Sequence, residues 1–253
     1  MLTVVGDGNL TINLNSGKYF GIGNSLDEYH GELNFYQDGG IIINANGMKG
    51  IGIGSGLGGV INIKRGHYEF DMKGQEGACI GSVNGDSELF IEYCDMDIYS
   101  GISNGTIIGS VNGDADIKLE NISAKIQGAG NVITGIGTIA GNSCMVRLEN
   151  VNISSNIRAK ECYGIGCRAG RTDIYIGYAA VKSVVQGKSA VAFGNSVMSA
   201  KLYCSNADVG TNAVTEFNSD IGALEKNIQL ENGRAEFILN GQEVKRQILA
   251  ARL

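Results

Sequence analysis

Residues 80–92 read IGSVNGDSELFIE, and residues 108–120, which lie 28 positions further along the chain, read IGSVNGDADIKLE. The apolar residue and glycine that begin both stretches recur throughout the chain, and we call each such dipeptide a marker pair. Successive marker glycines are separated by 31, 27, 28, 28, 29, 28 and 28 residues. A period of this size predicts structural repeats that stack on one another. The marker pairs are Ile22-Gly23, Ile53-Gly54, Ile80-Gly81, Ile108-Gly109, Ile136-Gly137, Ile165-Gly166, Phe193-Gly194 and Ile221-Gly222.

A strand is predicted shortly after each marker pair. Apolar residues stand eight and ten positions after the marker glycine, and polar residues alternate with them, as in Glu88-Leu89-Phe90-Ile91-Glu92. This period of two is typical of a strand with one buried face. The apolar pairs are Leu89 with Ile91, Ile117 with Leu119, Ile174 with Ile176, Leu202 with Cys204 and, with one residue of slack, Ile61 with Ile63 and Val146 with Leu148.

Two further strands complete each repeat. One begins about thirteen residues after the marker glycine, as in Cys94, Met96 and Ile98, and the other runs into the next marker pair. Turns with glycine precede the first strand, and we expect them to supply the positive φ angles of a sharp corner. These turns are Asn84-Gly85-Asp86, Asn112-Gly113-Asp114, Gly141-Asn142 and Gly170-Arg171.

The repeat predicts an all-β fold, a single-stranded parallel β-helix of about eight coils with three strands in each. Parallel crossovers are almost always right-handed, so we expect a right-handed helix. A β-propeller blade would need about 40 to 50 residues, and a β-sandwich would not keep one register throughout. The chain is predicted to be one domain, residues 1–253, with repeats over 23–233. Residues 1–22 form a cap or a partial coil, and residues 234–253 form a second cap, with a strand to Leu239, a turn at Asn240-Gly241 and then a strand or a helix.

The composition agrees with strands joined by tight turns. The chain has 39 glycines and no proline, 43% hydrophobic residues and a formal charge of −6. An acidic chain without a basic stripe is not expected to bind nucleic acid or anionic membranes. If the chain is complete, we expect a cytoplasmic protein; if it is part of a secreted protein, we expect the cell surface. The oligomeric state is not predicted.

The cysteines and histidines carry no recognisable site. The six cysteines have no metal-ligand spacing, and Cys94 and Cys204 would lie roughly 19 Å apart, too far for a disulfide. We therefore expect six free buried thiols, as in a reducing compartment. His30 and His67 are expected to be isolated surface turn residues. No metal and no cofactor is predicted.

The stretch from Gly50 to Ile63, GIGIGSGLGGVINI, resembles the GIGxGxxGxxGxIxI repeat of glycine-rich β-helical proteins of Gram-positive gut bacteria. The match is closest over residues 50–64. Those proteins are often described as adhesin-like or carbohydrate-binding surface proteins. The resemblance therefore implies a β-helix with a binding role at a cell surface.

The outward positions of the first strands form the candidate site. Stacking in register places Glu92, Glu120 and Glu149 in one column, and Glu88, Asp116 and Asp173 in another. Between them runs a mixed column of Phe90, Lys118, Arg147, Tyr175 and Tyr203. This surface is open to three interpretations: a solvated face whose cations offset carboxylate repulsion, a ligand-binding face, or a catalytic or calcium site. The predicted ligand-binding residues are Phe90, Glu92, Lys118, Glu120, Arg147, Glu149, Tyr175 and Tyr203.

The sequence favours a non-enzymatic, adhesin-like binding or scaffold module whose partner is a glycan or a protein. Right-handed β-helices also include pectin-lyase-like enzymes, which remain the alternative, together with an intracellular β-helical part of a larger regulatory protein. Coils of nearly equal length leave no long loops to build the walls of a catalytic cleft, which argues against the enzyme.

Overall fold

The computed structural model describes residues 1–197, 200–216 and 228–249. Within these ranges the chain forms strands and short turns, and no helix is long and apolar enough to cross a membrane. Sixteen strands are present in the described ranges. They are β1 Leu2–Gly6, β2 Leu10–Gly23, β3 Gly31–Gln37, β4 Gly40–Ser55, β5 Gly59–Ser82, β6 Ser87–Ser110, β7 Ala115–Glu120, β8 Ser123–Thr138, β9 Ser143–Glu149, β10 Asn152–Cys167, β11 Arg171–Gly177, β12 Ala180–Gly187, β13 Ser189–Gly194, β14 Ala200–Thr215, β15 Ile228–Leu239 and β16 Gln242–Leu249.

The strands stack in parallel, one coil on the next. Ile80 pairs with Ile108 and Ile108 with Ile136, so the 28-residue period is the spacing between neighbouring coils. The marker pairs from Ile22 to Phe193 lie in one column. The chain is therefore a β-solenoid of about eight turns, which confirms the predicted fold class. The last marker pair, Ile221-Gly222, lies outside the described residues.

The interior is filled by columns of branched side chains. The marker isoleucines from Ile53 to Ile165 are completely buried, and each contributes roughly 1.5–3 kcal/mol by leaving water. The apolar pairs predicted for the first strands are buried as well, and so are Cys94, Met96 and Ile98 of a second strand. The predicted inward register is thus confirmed.

The marker glycines form a corner that no other residue fits. Gly81 and Gly109 have φ angles of +131° and +133°. A Cβ on Gly81 would lie 1.8 Å from the carbonyl oxygen of Gly109 in the next coil. Both the backbone conformation and the stacking distance therefore require glycine here.

The corner before each first strand differs from the prediction. Gly85, Gly113 and Gly141 do not have positive φ, and of the four predicted turns only Gly170 does, at +124°. Glycine is needed at Gly85 because a Cβ would lie 1.9 Å from the carbonyl oxygen of Leu57. Positive φ occurs instead between the first and second strands, with values between 46° and 67°. Asparagine, which tolerates this region, occupies four of those seven positions. The positions are Arg65, Tyr93, Asn121, Asn150, Tyr178, Asn206 and Asn232.

A buried polar ladder supports the same corner from inside. Ser110 Oγ donates a hydrogen bond to the Gly85 carbonyl at 2.7 Å, and Thr138 Oγ1 donates to the Gly113 carbonyl at 2.7 Å. These contacts satisfy the corner carbonyl groups, of which that of Gly113 is buried and that of Gly85 half-buried. Cys167 takes the same place one coil later, with its thiol 3.4 Å from the Gly170 carbonyl. All six cysteines are buried free thiols, as predicted.

Two of the three strand surfaces face solvent. Residues 105–110 of a third strand are buried on both sides, because a second apolar cluster packs against its outer side. That cluster comprises Leu26, Ile51, Val83, Val111 and Ile139. We call the outer surface of the first strands face 1 and that of the second strands face 2.

The two ends of the stack differ. Residues 1–22 lie in the parallel stack, with β1 paired to β3 and β2 to β4. At the other end β16 pairs antiparallel with β15 after a turn at Asn240 and Gly241. The segment after this turn is a strand over residues 242–249, and residues 250–253 lie outside the described residues.

Candidate ligand-binding face

Face 1 presents its side chains in the predicted columns. Phe90 pairs with Lys118, Lys118 with Arg147, and Arg147 with Tyr175, which in turn pairs with Tyr203. Beside this central column, Glu92, Glu120 and Glu149 follow one another in register. Glu88 pairs with Asp116, but Met145 separates Asp116 from Asp173. The backbone register thus assembles all eight predicted residues on one surface.

Two cationic side chains of face 1, Lys118 and Arg147, form ion pairs with carboxylates of the neighbouring columns. Lys118 Nζ lies 2.5 Å from Glu120 Oε2, and Arg147 Nη1 lies 2.6 Å from Asp116 Oδ1. The hydrogen bond to Glu120, followed by the charges of Glu120, Glu92 and Glu149, raises the pKa of Lys118. These pairs offset the repulsion between carboxylates of neighbouring coils, which agrees with a solvated face. Lys64, one coil before Glu92, lies 3.5 Å from its carboxylate.

Glu149 is placed differently from the other glutamates of its column. It forms no ion pair with any residue that the structure describes. Its carboxylate lies over the backbone of the next coil, where a Cβ on Gly177 would be 2.2 Å from Oε2. The glycine therefore makes room for an exposed carboxylate beside Tyr175. A shallow depression of about 530 Å³ adjoins it, lined by Met145, Leu148, Tyr175, Lys118, Glu120, Arg147 and Glu149.

Two tyrosines form the aromatic part of this surface. Tyr175 is 43% exposed, and its ring centroid lies 6.4 Å from that of Tyr203 with the planes inclined by 49°. Tyr203 donates a hydrogen bond of 2.6 Å to Glu231, which raises the pKa of Tyr203 and orients its ring. Phe90 is half-buried and lies three coils, roughly 14 Å, from Tyr175. The structure brings together Glu149, Tyr175 and Tyr203, and it does not bring Phe90 to them.

The histidines do not occupy the predicted surface turns. His67 is exposed but lies within β5, where Nε2 is 2.8 Å from Glu69. His30 lies between β2 and β3 and is half-buried, with both ring nitrogens shielded from solvent and without a hydrogen-bond partner among the described residues. Burial lowers the pKa of His30 to about 4. Over the described ranges, no group of three or more histidine, cysteine, aspartate or glutamate side chains is arranged to hold a metal ion.

The fold and this face together define the class of protein: a β-solenoid of nearly equal coils that presents a charged and aromatic strip on one flat side. No protein-family model, curated protein or solved structure matches the chain.

Proposed function

We propose that this β-solenoid is a non-enzymatic, adhesin-like binding module that recognises a glycan through face 1. The observation that carries the proposal is the exposed Tyr175 next to the half-buried Tyr203, beside the exposed carboxylate of Glu149. Flat aromatic rings and hydrogen-bond acceptors on an accessible surface are the groups that a sugar requires.

The chemistry of these three residues suits a neutral, hydroxyl-rich chain. The faces of the tyrosine rings offer apolar surface to the CH groups of a sugar, and the carboxylate accepts hydrogen bonds from its hydroxyls. The bond from Tyr203 to Glu231 holds one ring in place, so less conformational entropy is lost on binding. Repeated weak contacts along neighbouring coils add together for a polymer.

The regularity of the coils supports binding rather than catalysis. Successive marker glycines are 27 to 31 residues apart, so no coil carries a long insertion that could wall a cleft. Catalysis requires groups that converge on one atom in a site from which water is excluded. Lys118 and Arg147, the cations nearest the carboxylate column, are each held by a carboxylate.

A glycan array with the wild-type chain and with Tyr175→Ala/Tyr203→Ala tests the proposal. We expect the double variant to lose binding by about tenfold or more, because both ring surfaces are removed. The control is Tyr99→Ala, which removes an exposed tyrosine from a second strand, on face 2. This control should bind as the wild type does, and all three proteins should show the same thermal unfolding.

The proposal is contradicted if the wild type binds no glycan, or if it binds a protein partner instead. It is also contradicted if the Tyr175→Ala/Tyr203→Ala variant binds a glycan as strongly as the wild type does. Release of unsaturated or reducing sugar ends from polygalacturonate, abolished by Glu120→Gln, would establish the pectin-lyase-like alternative.

A further inference from the structure

The first coil of the stack has an open edge. β1 pairs only with β3 and β2 only with β4, so within the described part of the chain nothing pairs with their opposite edges. Leu2 is 44% exposed, whereas its partner Leu33 in the next coil is 2% exposed. Leu10 is 40% exposed, whereas its partner Ile41 is completely buried. The apolar interior of the solenoid therefore reaches solvent at this end. Its other inward side chains are the half-buried Val4, Ile12 and Leu14.

This end carries little charge to protect it. Native proteins usually blunt free strand edges with charged side chains. β1 and β2 together contain one charged residue, Lys18, and Asp7 lies between the two strands. Neither Asp7 nor Lys18 forms an ion pair with a described residue. An exposed apolar surface with so few charges indicates a site of association with another chain.

The opposite end of the stack does not fit this surface. β16 pairs antiparallel with β15, and its eight residues include Glu243, Lys245 and Arg246. A charged edge strand resists pairing with further strands. Stacking the first coil of one copy on β16 of another would also produce an open-ended filament rather than a closed assembly. The first coil is therefore better suited to a second first coil.

We propose that two copies of this chain associate head to head through their first coils, about a two-fold axis perpendicular to the solenoid axis. The axis passes near Asn13, in the middle of the second strand of the first coil, residues 10–15. This strand then pairs antiparallel with its copy, and Ile12 of each chain lies opposite Leu14 of the other. The inward columns continue across the interface, and burial of these apolar side chains drives the association.

Both the shape and the charge of the first coil are self-complementary about this axis. Because each coil advances by roughly 4.8 Å, the end of the stack is stepped. β1 lies nearest the end, and residues 18–23 lie furthest from it. The two-fold rotation places β1 of each copy over residues 18–23 of the other, so the projecting part meets the receding part. It also brings Asp7, which precedes the second strand, to the partner's Lys18, which follows that strand.

The dimer is a rod with twice the number of coils, and it carries face 1 on both of its halves. Opposite ends of one extended partner could then contact two copies of the same surface. The inference rests on the first coil alone, so it holds or fails independently of what face 1 binds.

Sedimentation velocity of the 253-residue chain over a range of concentrations tests the dimer. We expect a species of twice 26.6 kDa whose fraction rises with concentration. Leu2→Lys/Leu10→Lys should be monomeric, because it places cations at the centre of the interface. In the monomer these long side chains can reach solvent at the open end, so the fold should survive. Val197→Lys/Val214→Lys is the matched control, since it changes two exposed valines far from the first coil and should leave the dimer intact.

A charge exchange tests the two-fold arrangement itself. Asp7→Lys or Lys18→Asp alone places like charges opposite each other across the interface and should weaken dimerisation about three- to tenfold. Asp7→Lys/Lys18→Asp reverses both partners, so it should dimerise as strongly as the wild type does. A contact within one chain would not explain this rescue, because the two residues lie at opposite ends of the second strand.

The inference is overturned if the wild type sediments at 26.6 kDa at every concentration, or if it forms open-ended assemblies larger than a dimer. It is also overturned if Leu2→Lys/Leu10→Lys remains dimeric, or if Asp7→Lys/Lys18→Asp dimerises no more strongly than the single variants. Asp7 and Lys18 are exposed, so their variants decide the question even if Leu2→Lys/Leu10→Lys fails to fold.

Discussion

At the scale of single residues, close stacking of the coils decides which side chains are tolerated. The marker glycines combine positive φ with a carbonyl oxygen of the next coil where their Cβ would be. The buried hydroxyls of Ser110 and Thr138 satisfy the corner carbonyls of Gly85 and Gly113. Each of these positions recurs once per coil, so the same packing requirement applies at every coil of the stack.

Gly109→Ala tests the marker corner. A Cβ there would lie 1.9 Å from the Gly137 carbonyl oxygen, and the φ of +133° disfavours alanine. We expect the free energy of unfolding to fall by about 3 kcal/mol or more in urea titrations. Gly210→Ala is the matched control, because nothing lies within 4 Å of its Cβ position and its φ is not positive. Equal stability of the two variants would contradict the stacking argument.

The cysteines should behave as inert core residues. Burial raises the pKa of Cys79, Cys94 and Cys204 to about 12, so almost no thiolate exists near neutral pH. Thiol reagents should therefore react with the folded chain far more slowly than with the unfolded chain. Titration in denaturant without reductant should count all six thiols. A count of four or fewer would mean that the natural protein contains a disulfide.

At the scale of strands, the alternation of side chains divides each coil into a core side and an outer side. Ile108 and Ile136 face inward and are completely buried, whereas Lys118 on the neighbouring face 1 strand points outward. Because every strand in the middle of the stack pairs with two neighbours, a defect at one inward position disturbs the coils on both sides. The inward and outward positions should therefore respond very differently to the same substitution.

Ile108→Asp or Ile136→Asp should unfold the domain under conditions in which the wild type is folded. Each change buries a carboxylate without a partner, which costs several kcal/mol. Lys118→Asp removes the exposed pair with Glu120 and should cost about 1 kcal/mol or less. Thermal unfolding followed by circular dichroism separates the two outcomes. Comparable melting temperatures for the inward and outward variants would show that the register is wrong.

At the scale of the whole molecule, coils of nearly equal length form a rod with two solvent-facing sides, face 1 and face 2. Face 1 carries tyrosines and carboxylates, and face 2 carries shallow depressions lined by short polar side chains and by charges of both signs, among them Lys125, Asp97, Lys182 and Asp208. The third side is closed by the apolar cluster around Val83 and Val111. If face 1 binds a polymer as proposed, contacts on successive coils add together along the rod.

Much of this architecture could be predicted from the sequence. The spacing of the marker pairs determined the period, and the alternation around Leu89 and Ile91 determined which side chains point inward. Both follow from geometry that every coil shares, since neighbouring parallel strands must align equivalent residues. The columns of face 1, from Phe90 to Tyr203, followed from the same register.

Only the tertiary structure decided which side chains meet. Lys118 reaches sideways to Glu120, and the Glu149 carboxylate lies over Gly177, because rotamers and local space select the partner within a column. Asn-Gly corners were expected to supply positive φ, yet Gly85 is required by a close backbone contact and Asn121 supplies the turn. Glycine and asparagine occur both at turns with positive φ and at corners where two coils approach closely, so the sequence could not tell these two requirements apart. On face 2, the position of Asp97 beside Lys125 became visible only when residues distant in sequence were placed side by side.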